Sequence, residues 1–251
     1  MKKLILSLAA LAAVSTIASA QAADWANHPR YAAANAALTV APEVVFMGNS
    51  ITDGWDDNHL EFFTDNNFAC RGISGQVTGQ MLCRFYSDVV DLKPKAVVIL
   101  AGVNDIAGNQ GPMDDRHIAE NIFSMAELAR QHGIRPLIAS SLPCDTIPWN
   151  AAVVNTATHI VNLNTMLQDY AEANGITYVD YYSALTTPDG ALASEYTNDR
   201  LHPNRAGYDI MEPIVLAALA SDDPALKCKN APIWKREKAD RKQKPKHKRN
   251  H

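Results

Sequence analysis

The chain has 251 residues, of which 47% are apolar and 20% are charged. This length and composition suit one α/β domain, whose core can be stable without metal ions or dense cross-linking. The formal net charge of −4 conceals an uneven distribution. Residues 227–251 hold eleven of the 23 Lys and Arg residues, but only Glu237 and Asp240 of the 27 acidic ones. Such a basic run predicts a solvated, disordered tail that can contact polyanions, and we expect no nucleic-acid partner.

The first twenty residues have the pattern of a secretory signal peptide. A basic start, Met1-Lys2-Lys3, precedes an apolar stretch over residues 4–17 and the small residues Ala18-Ser19-Ala20. The apolar stretch is too short to span a membrane, and no later segment approaches the length that a bilayer needs. We therefore predict a signal peptide over 1–20, a main domain over 21–226 and the basic tail over 227–251. The mature protein is expected to be exported, either to the periplasm or outside the cell.

Five short apolar runs predict buried strands, at residues 44–47, 68–70, 96–100, 136–139 and 176–179. Helical patterns cover residues 28–38, 114–132, 150–174 and 204–220, and the second and third of these end at Gly133 and Gly175. Alternating strands and helices predict a parallel sheet with right-handed crossovers and helices on both faces. The expected core positions of the two long helices are Ile118, Ile122, Met125, Leu128, Ala129, Val154, Ile160, Val161, Leu163, Leu167 and Tyr170.

Three motifs far apart in the chain carry the chemistry. Gly48-Asn49-Ser50-Ile51-Thr52 follows the first strand, Gly102-Val103-Asn104-Asp105 follows the third, and Asp199-Arg200-Leu201-His202-Pro203 stands near the end. In an open parallel sheet, ligands bind at the carboxyl ends of the strands. A Ser in a small-residue turn is ordinary turn chemistry by itself. Together, however, a Ser nucleophile, an amide donor and an Asp/His pair are the parts of a serine esterase.

In this order the motifs resemble those of the SGNH, or GDSL-like, hydrolases, over about residues 44–208. The resemblance implies a three-layer α/β/α sandwich with a flavodoxin-like, five-stranded parallel sheet. It matches Ser50 to the nucleophile, His202 to the general base and Asp199 to the residue that orients the base. One departure is Arg200, which stands where Gly is common in the family.

The same resemblance assigns the oxyanion donors. It matches the backbone N–H groups of Ser50 and Gly75 and the side-chain amide of Asn104. Asp53 and Asp105 are interpreted as structural, Asp53 as a helix cap and Asp105 as a support of the loop. No His, Asp and Glu grouping has metal-ligand spacing and no Gly-rich phosphate loop occurs, so neither a metal nor another cofactor is expected.

The substrate is expected to be a small-molecule or glycan ester. Trp55, Trp149 and Arg200 are candidates for its contacts, and both Trp side chains could instead pack in the core. Export and the absence of a long apolar lid segment favour a short acyl group such as acetyl, carried on a carbohydrate. The wording of the Ser50 and Gly75 motifs also resembles lysophospholipases and platelet-activating-factor acetylhydrolases, so a phospholipid or thioester acylhydrolase is the alternative. An inactive glycan-binding module is the alternative of another class, and the oligomeric state stays open.

The chain has four cysteines, and export permits disulfides between them. Three complete pairings are possible. The first hypothesis pairs Cys70 with Cys83, which leaves Cys144 for Cys228. Unpaired, buried thiols are the alternative, because Cys also packs as a small apolar residue.

Overall fold

The structure is a computed structural model that describes residues 24–221. Its strands are β1 (Val44–Gly48), β2 (Phe68–Gly72), β3 (Ala96–Leu100), β4 (Arg135–Ala139) and β5 (Thr177–Val179). All neighbouring strands pair in parallel, in the order β2-β1-β3-β4-β5. The predicted five-stranded parallel sheet is therefore confirmed. The predicted signal peptide and the basic tail lie outside the described residues.

The helices are α1 (Pro29–Ala37), α2 (Ser50–Asn58), α3 (Leu60–Asp65), α4 (Thr78–Cys83), α5 (Phe85–Asp88), α6 (Val103–Ile106), α7 (Asp115–Gln131), α8 (Thr156–Asn174), α9 (Tyr182–Leu185) and α10 (Arg205–Ala220). Short 3-10 turns lie at Val90–Leu92 and Ser194–Tyr196. Over residues 24–221, none of these helices is both long and apolar enough to cross a membrane.

The strand order explains the three layers. The chain runs from β1 outward to β2, returns past β1 to β3, and continues to β4 and β5. Because parallel crossovers are right-handed, this reversal of direction sends the connecting helices to opposite faces of the sheet. Helices α2, α3 and α10 pack on one side, whereas α4, α7 and α8 form the other layer. The carboxyl ends of β1 and β3 meet at the reversal, which is where such sheets bind ligands.

Helix α8 is shorter than the sequence pattern predicts. The helical pattern begins at residue 150, but α8 begins at Thr156, because Asn155 has a left-handed backbone with φ of 58°. Val154 consequently lies in the preceding loop and is 66% exposed, and Val161 lies on the outer face of the helix. The other core predictions for the two long helices are buried or packed against the core, which confirms their inward faces. These residues are Ile118, Ile122, Met125, Leu128, Ala129, Ile160, Leu163, Leu167 and Tyr170.

The position of Trp55 corrects one expectation. Its side chain is 1% exposed, stacks between Phe62 and Tyr208 with ring centroids at 5.2 and 5.3 Å, and donates a hydrogen bond to Glu212. The reason is helical periodicity, because α2 continues past Ser50 and places Trp55 one turn after Ile51 on the buried face. Trp55 therefore belongs to the core and does not contact substrate.

The cysteines are also placed differently from the first hypothesis. Cys70, Cys83 and Cys144 are free thiols, so the pairing of Cys70 with Cys83 is wrong. The Cys70 side chain points into the core, where its Sγ lies 3.2 Å from the carbonyl oxygen of Thr52. Burial raises the pKa of Cys70 to about 12 and that of Cys144 to about 11, which makes both thiols poor nucleophiles. Cys228 lies outside the described residues.

Candidate active site

Ser50 stands at the junction of β1 and α2. Asn49 is the N-cap of α2, and its side-chain oxygen accepts a hydrogen bond from the Ile51 N–H. This corrects the expected role of Asp53, which lies inside the first turn of α2. Ser50 is the first residue of the helix, so its own N–H has no intrahelical acceptor. The half-buried Ser50 thus presents both a hydroxyl and a backbone N–H at the sheet edge.

A row of hydrogen bonds joins Ser50 to the C-terminal motif. The Ser50 Oγ lies 2.9 Å from His202 Nε2, and His202 Nδ1 lies 2.7 Å from Asp199 Oδ2. The other carboxylate oxygen, Oδ1, accepts the backbone N–H groups of Leu201 and His202 at 3.0 and 2.8 Å. One turn therefore carries both side chains of the pair, as their spacing in the sequence suggests.

The charge of Asp199 determines the proton positions along this row. Burial acts to raise the pKa of Asp199, but the hydrogen bonds from His202 and Leu201 outweigh it and lower the pKa to about 2. The carboxylate is therefore ionised at neutral pH and accepts a hydrogen bond from the N–H at His202 Nδ1. In the neutral imidazole this leaves the lone pair of Nε2 facing the Ser50 hydroxyl.

Arg200 lies between Asp199 and His202 in the chain, and its backbone conformation explains why Gly is common at this position in the family. Its φ is 70°, in the left-handed region that side chains other than Gly rarely adopt. The guanidinium forms an ion pair with Asp145, in the segment that follows β4. Arg200 is 62% exposed, so it stays a candidate for a substrate contact at the rim.

Asn104 is delivered to the same edge by the turn after β3. Gly102 has φ of 117°, and a Cβ there would lie 2.4 Å from a methyl group of Leu163, so only Gly fits this turn. The buried Asn104 donates one amide N–H to the Gln76 carbonyl oxygen at 2.9 Å. An amide NH₂ group has two donors, which leaves the second for another acceptor.

Asp105 links the Asn104 turn to α4. Its carboxylate accepts the Thr78 N–H at 3.0 Å and the Thr78 hydroxyl at 2.6 Å. Burial raises the pKa of Asp105 to about 6, although the bonds from Thr78 act in the opposite direction. These contacts support the loop, as expected, and do not point towards Ser50.

Gly75 is held by anchors on both sides. Before it, the Asp53 carboxylate accepts the Ser74 N–H at 3.2 Å and the Ser74 hydroxyl at 2.7 Å. After it, the Gly75 carbonyl oxygen accepts a hydrogen bond from Asn109 Nδ2 at 3.1 Å. The φ of Gly75 is 80°, and a Cβ there would meet no atom within 4 Å, so this backbone borders open space. The orientation of the Gly75 N–H is therefore set by anchored neighbours.

Arg84 is a residue of this site that the sequence analysis missed. It is fully buried, and its guanidinium donates to the carbonyl oxygens of Gly48 and Arg71, to Gln76 Oε1 at 2.6 Å and to Asp88 at 2.9 Å. One side chain thus ties the end of β1, just before Ser50, to the segment just after Gly75. The only sequence signal was a charged residue between Cys83 and Phe85, four residues before Asp88.

The rim of the site includes Trp149, which is 50% exposed. Its Nε1–H donates to Asn109 Oδ1 at 3.0 Å, and the same Asn109 holds Gly75. A cavity of about 570 Å³ lies against the His202 and Asp199 pair. Its lining is largely polar and consists of Asn58, Asn198, Asp199, His202, Pro203, Asn204, Arg205 and Ala206.

Across residues 24–221, one cluster has atoms close enough to hold a metal ion, namely those of His59, Asp209 and Glu212. Glu212 Oε1 lies 2.8 Å from His59 Nδ1 and accepts a hydrogen bond from Trp55 Nε1. The cluster therefore joins the end of α2 to α10, and Ser50, His202 and Asp199 are not part of it.

These features define the class of protein. A five-stranded parallel sheet with Ser, His and Asp hydrogen-bonded at its carboxyl edge has the architecture of the SGNH hydrolases. The chain belongs to the GDSL-like lipase/acylhydrolase family, whose sequence model matches residues 46–210. By family and fold it is a hydrolase that acts on esters.

Solved structures agree with this assignment. A GDSL-like lipase from Bacteroides thetaiotaomicron is 43% identical, with a TM-score of 0.76 over 78% of this chain and 98% of that one. A protein from Bacteroides fragilis has the same identity and TM-score. Axe2, an acetyl-xylooligosaccharide esterase from Geobacillus, shares the fold alone, at 16% identity over 73% of this chain and 96% of its own, with a TM-score of 0.58.

One curated relative is similar over a shorter stretch. The uncharacterized lipoprotein YqeF of Bacillus subtilis is 36% identical over 75 residues, which is 29% of this chain. The match spans only 31% of the length of that relative.

Proposed function

We propose that the protein is an exported serine esterase that removes short acyl groups, above all acetyl groups, from carbohydrates. The observation that carries this proposal is the row from Ser50 through His202 to Asp199, with distances of 2.9 and 2.7 Å. These are hydrogen-bonding distances between a nucleophile, a base and the residue that orients the base. Without such contacts the Ser50 hydroxyl would be an ordinary, weakly nucleophilic alcohol.

The chemistry then follows the order of the row. Ser50 Oγ attacks the acyl carbon, and its proton moves to His202 Nε2. When the bond to the leaving alcohol breaks, His202 returns that proton to the alcohol oxygen, which leaves an acyl-Ser50 ester. Water attacks this ester in the same way and releases the acid and free Ser50. The ionised Asp199 holds the imidazole and stabilises its charged form in both halves.

The negative oxygen of each intermediate needs donors that are already in place. The N–H of Ser50, the N–H of Gly75 and the second amide N–H of Asn104 would supply them. The anchored neighbours of Gly75 and the bond from Asn104 to Gln76 support this role, since fixed donors need little reorganisation during the reaction.

Two features favour a carbohydrate ester over a lipid. The cavity beside His202 is lined by side chains that can hydrogen-bond with hydroxyl groups, including Asn58, Asn198 and Arg205. Trp149 adds a half-exposed aromatic surface close to Gly75. The fold is also compatible with such substrates, since Axe2 acts on acetylated xylo-oligosaccharides. Export rests on the signal-peptide pattern of residues 1–20.

A lipid or thioester acylhydrolase is the second candidate. The name of the Bacteroides thetaiotaomicron relative, a GDSL-like lipase at 43% identity, is the observation that favours it. The two candidates differ in the acyl chain and the alcohol, while the chemistry at Ser50 is the same.

The test measures acyl release by the purified mature protein. Substrates are p-nitrophenyl esters of increasing chain length, acetylated glycans and phospholipids, and the variants are Ser50→Ala and, as a control, Ser124→Ala on the exposed face of α7. We expect acetyl esters to be preferred and activity to vanish only in Ser50→Ala. Activity that peaks at long chains would favour the lipid candidate. Failure of a fluorophosphonate probe to label Ser50 would exclude both esterase candidates and favour an inactive glycan-binding module.

A further inference from the structure

Asn109 makes contacts that bring three parts of the site together. Its backbone N–H donates to the Asn104 carbonyl oxygen at 3.1 Å, its Nδ2 donates to the Gly75 carbonyl oxygen at 3.1 Å, and its Oδ1 accepts from Trp149 Nε1 at 3.0 Å. It is thus bonded to both residues outside α2 that would bind the oxyanion, and to the exposed aromatic ring at the rim.

We propose that Trp149 is a binding platform for a sugar ring of the substrate, and that Asn109 is a positioning residue that couples this platform to the Gly75 N–H. The inference deepens the proposed function and rests on it. It assigns a substrate subsite to Trp149 and a role to Asn109 that the motifs of the sequence do not suggest.

The orientation of the Asn109 amide is unambiguous. An indole Nε1–H can only donate and a carbonyl oxygen can only accept, so Oδ1 must face Trp149 and Nδ2 must face Gly75. Because the amide group is planar, a change in the direction of one bond moves the other. A displaced Trp149 ring would therefore also displace the anchor of the Gly75 carbonyl.

The Gly75 carbonyl is one peptide unit away from the proposed oxyanion donor. Asp53 fixes the peptide before that donor through Ser74, and Asn109 fixes the peptide after it. With both neighbours held, the Gly75 N–H has little freedom to turn. Loss of the Asn109 anchor would leave that side held only by the Gln76 N–H, which donates to the Ile73 carbonyl oxygen at 3.2 Å. The weaker hold on the Gly75 N–H should affect the transition state more than the binding of the substrate.

Trp149 suits a sugar ring by its exposure and its polarity. Half of its surface is exposed, and its one polar group is already bonded to Asn109, so an apolar ring face is available at the rim. Pyranose rings present C–H groups on one face and hydroxyl groups at the edge. The edge hydroxyls of a ring stacked on Trp149 would stay free to bond to polar groups.

The chain contains a matched control for this arrangement. Trp25 is also 50% exposed, and its Nε1–H donates to Gln110 Oε1 at 3.1 Å, on the residue next to Asn109. The exposure of the ring and the type of hydrogen bond are the same. In the described structure, the Gln110 amide makes no bond to Gly75. Equivalent substitutions in the two pairs therefore differ chiefly in the link to the oxyanion site.

The experiment compares kcat and KM for p-nitrophenyl acetate and for acetylated xylo-oligosaccharides. Asn109→Asp keeps the acceptor for Trp149 but replaces the donor to Gly75 with a carboxylate oxygen. We expect kcat to fall about tenfold for both substrates, with KM nearly unchanged, which corresponds to the loss of one hydrogen bond. Trp149→Phe keeps an aromatic ring but removes the indole N–H, and it should lower kcat by less than Asn109→Asp does.

Trp149→Ala should also raise KM about fivefold or more for the oligosaccharides, but not for p-nitrophenyl acetate, which has no sugar ring to stack. Trp25→Phe, Trp25→Ala and Gln110→Glu should leave both constants at wild-type values. The inference is overturned if Asn109→Asp has the wild-type kcat, if Gln110→Glu loses as much, or if Trp149→Ala keeps the wild-type KM for the oligosaccharides.

Labelling with a fluorophosphonate shows whether only the inference on Trp149 and Asn109 is wrong or whether the proposed function is wrong as well. If the wild-type protein is labelled at Ser50 but the Trp149 and Asn109 variants behave like their controls, only the coupled subsite is refuted. A wild-type protein that is not labelled would refute the serine mechanism and the subsite with it.

Discussion

Replacing Arg84 with Met should be among the most destabilising single changes in this domain. The aliphatic part of the side chain is kept, but the guanidinium is lost. Gly48 and Arg71 lose the donor to their carbonyl oxygens, and Gln76 loses the donor to its side-chain oxygen. Asp88, which is 1% exposed, loses the cation at 2.9 Å.

The magnitude follows from the burial of both ions. Removing one partner of a buried ion pair typically costs about 3–5 kcal/mol, because the remaining charge is left in a poorly solvating interior. Asp88 keeps the hydrogen bond from Asn35 at 2.8 Å and a long one from the Ser87 hydroxyl at 3.5 Å, which compensate its charge only in part. We therefore expect a loss of about 4 kcal/mol in the free energy of unfolding, out of a typical total of about 5–15 kcal/mol.

The assay is equilibrium unfolding in urea, followed by tryptophan fluorescence and by circular dichroism. With a slope of about 2 kcal/mol per molar urea, the midpoint should fall by about 2 M. The double variant Arg84→Met with Asp88→Asn removes the unpaired charge and should recover part of the loss. Arg116→Met is the matched control, since Arg116 and Glu120 have the same sequence separation and a similar distance of 2.8 Å but are exposed. It should change the midpoint little.

A midpoint for Arg84→Met within about 0.5 M of wild type would refute the reasoning, because it would mean that solvent or neighbouring groups compensate Asp88 fully. A double variant less stable than Arg84→Met would refute the second step, in which the unpaired charge is the main cost.

Three further predictions concern the site and the thiols. Asn104→Ala should lower kcat about 100- to 1,000-fold while the protein stays folded, because the loss of its bond to Gln76 should cost only about 1 kcal/mol in the urea unfolding assay. Near-wild-type kcat would exclude Asn104 from the mechanism. Burial raises the pKa of Asp105 from 3.8 to about 6, so the native state binds more protons than the unfolded state between these pH values. The contribution of Asp105 to the free energy of unfolding should therefore fall by about 3 kcal/mol as pH rises from about 4 to 6 and then level off. Stability should thus decrease less over this range in Asp105→Asn than in the wild type, and parallel curves for the two proteins would contradict the prediction. Iodoacetamide should modify the exposed Cys83 in the native protein and spare the buried Cys70 and Cys144. The masses of the digested peptides would show which thiols are modified. Modification of Cys70 or Cys144 in the native protein would contradict their buried positions.

Much of the fold could be predicted because its signals are local. Each strand is a short apolar run that is buried on both faces, and each predicted run lies within two residues of an observed strand. The motifs around Ser50, Asn104 and His202 were also recognisable, because each lies within a few residues of a strand end or a turn. The structure places the Ser50 and His202 side chains in contact across 152 positions of sequence.

The errors arose where a short pattern has two structural outcomes. Trp55 is a candidate for a substrate contact by its closeness to Ser50 in the sequence, but α2 continues past Ser50 and directs the Trp55 side chain into the core. Cys70 and Cys83 have a plausible spacing for a disulfide, yet the side chain of Cys70 in β2 faces the core and Cys83 lies exposed at the end of α4. Spacing along the chain does not define the direction of a side chain.

The sequence by itself determined the sheet, the alternation of layers and the residue types available for ester chemistry, since hydrophobic periodicity and turn motifs act over a few residues. Only the tertiary structure decided how these residues are supported. The contact of Arg84 with Gly48, and those of Asn109 with Gly75 and Trp149, join segments that are distant in the chain. Such hydrogen bonds depend on the packing of whole elements against each other, and no local pattern of residues encodes them.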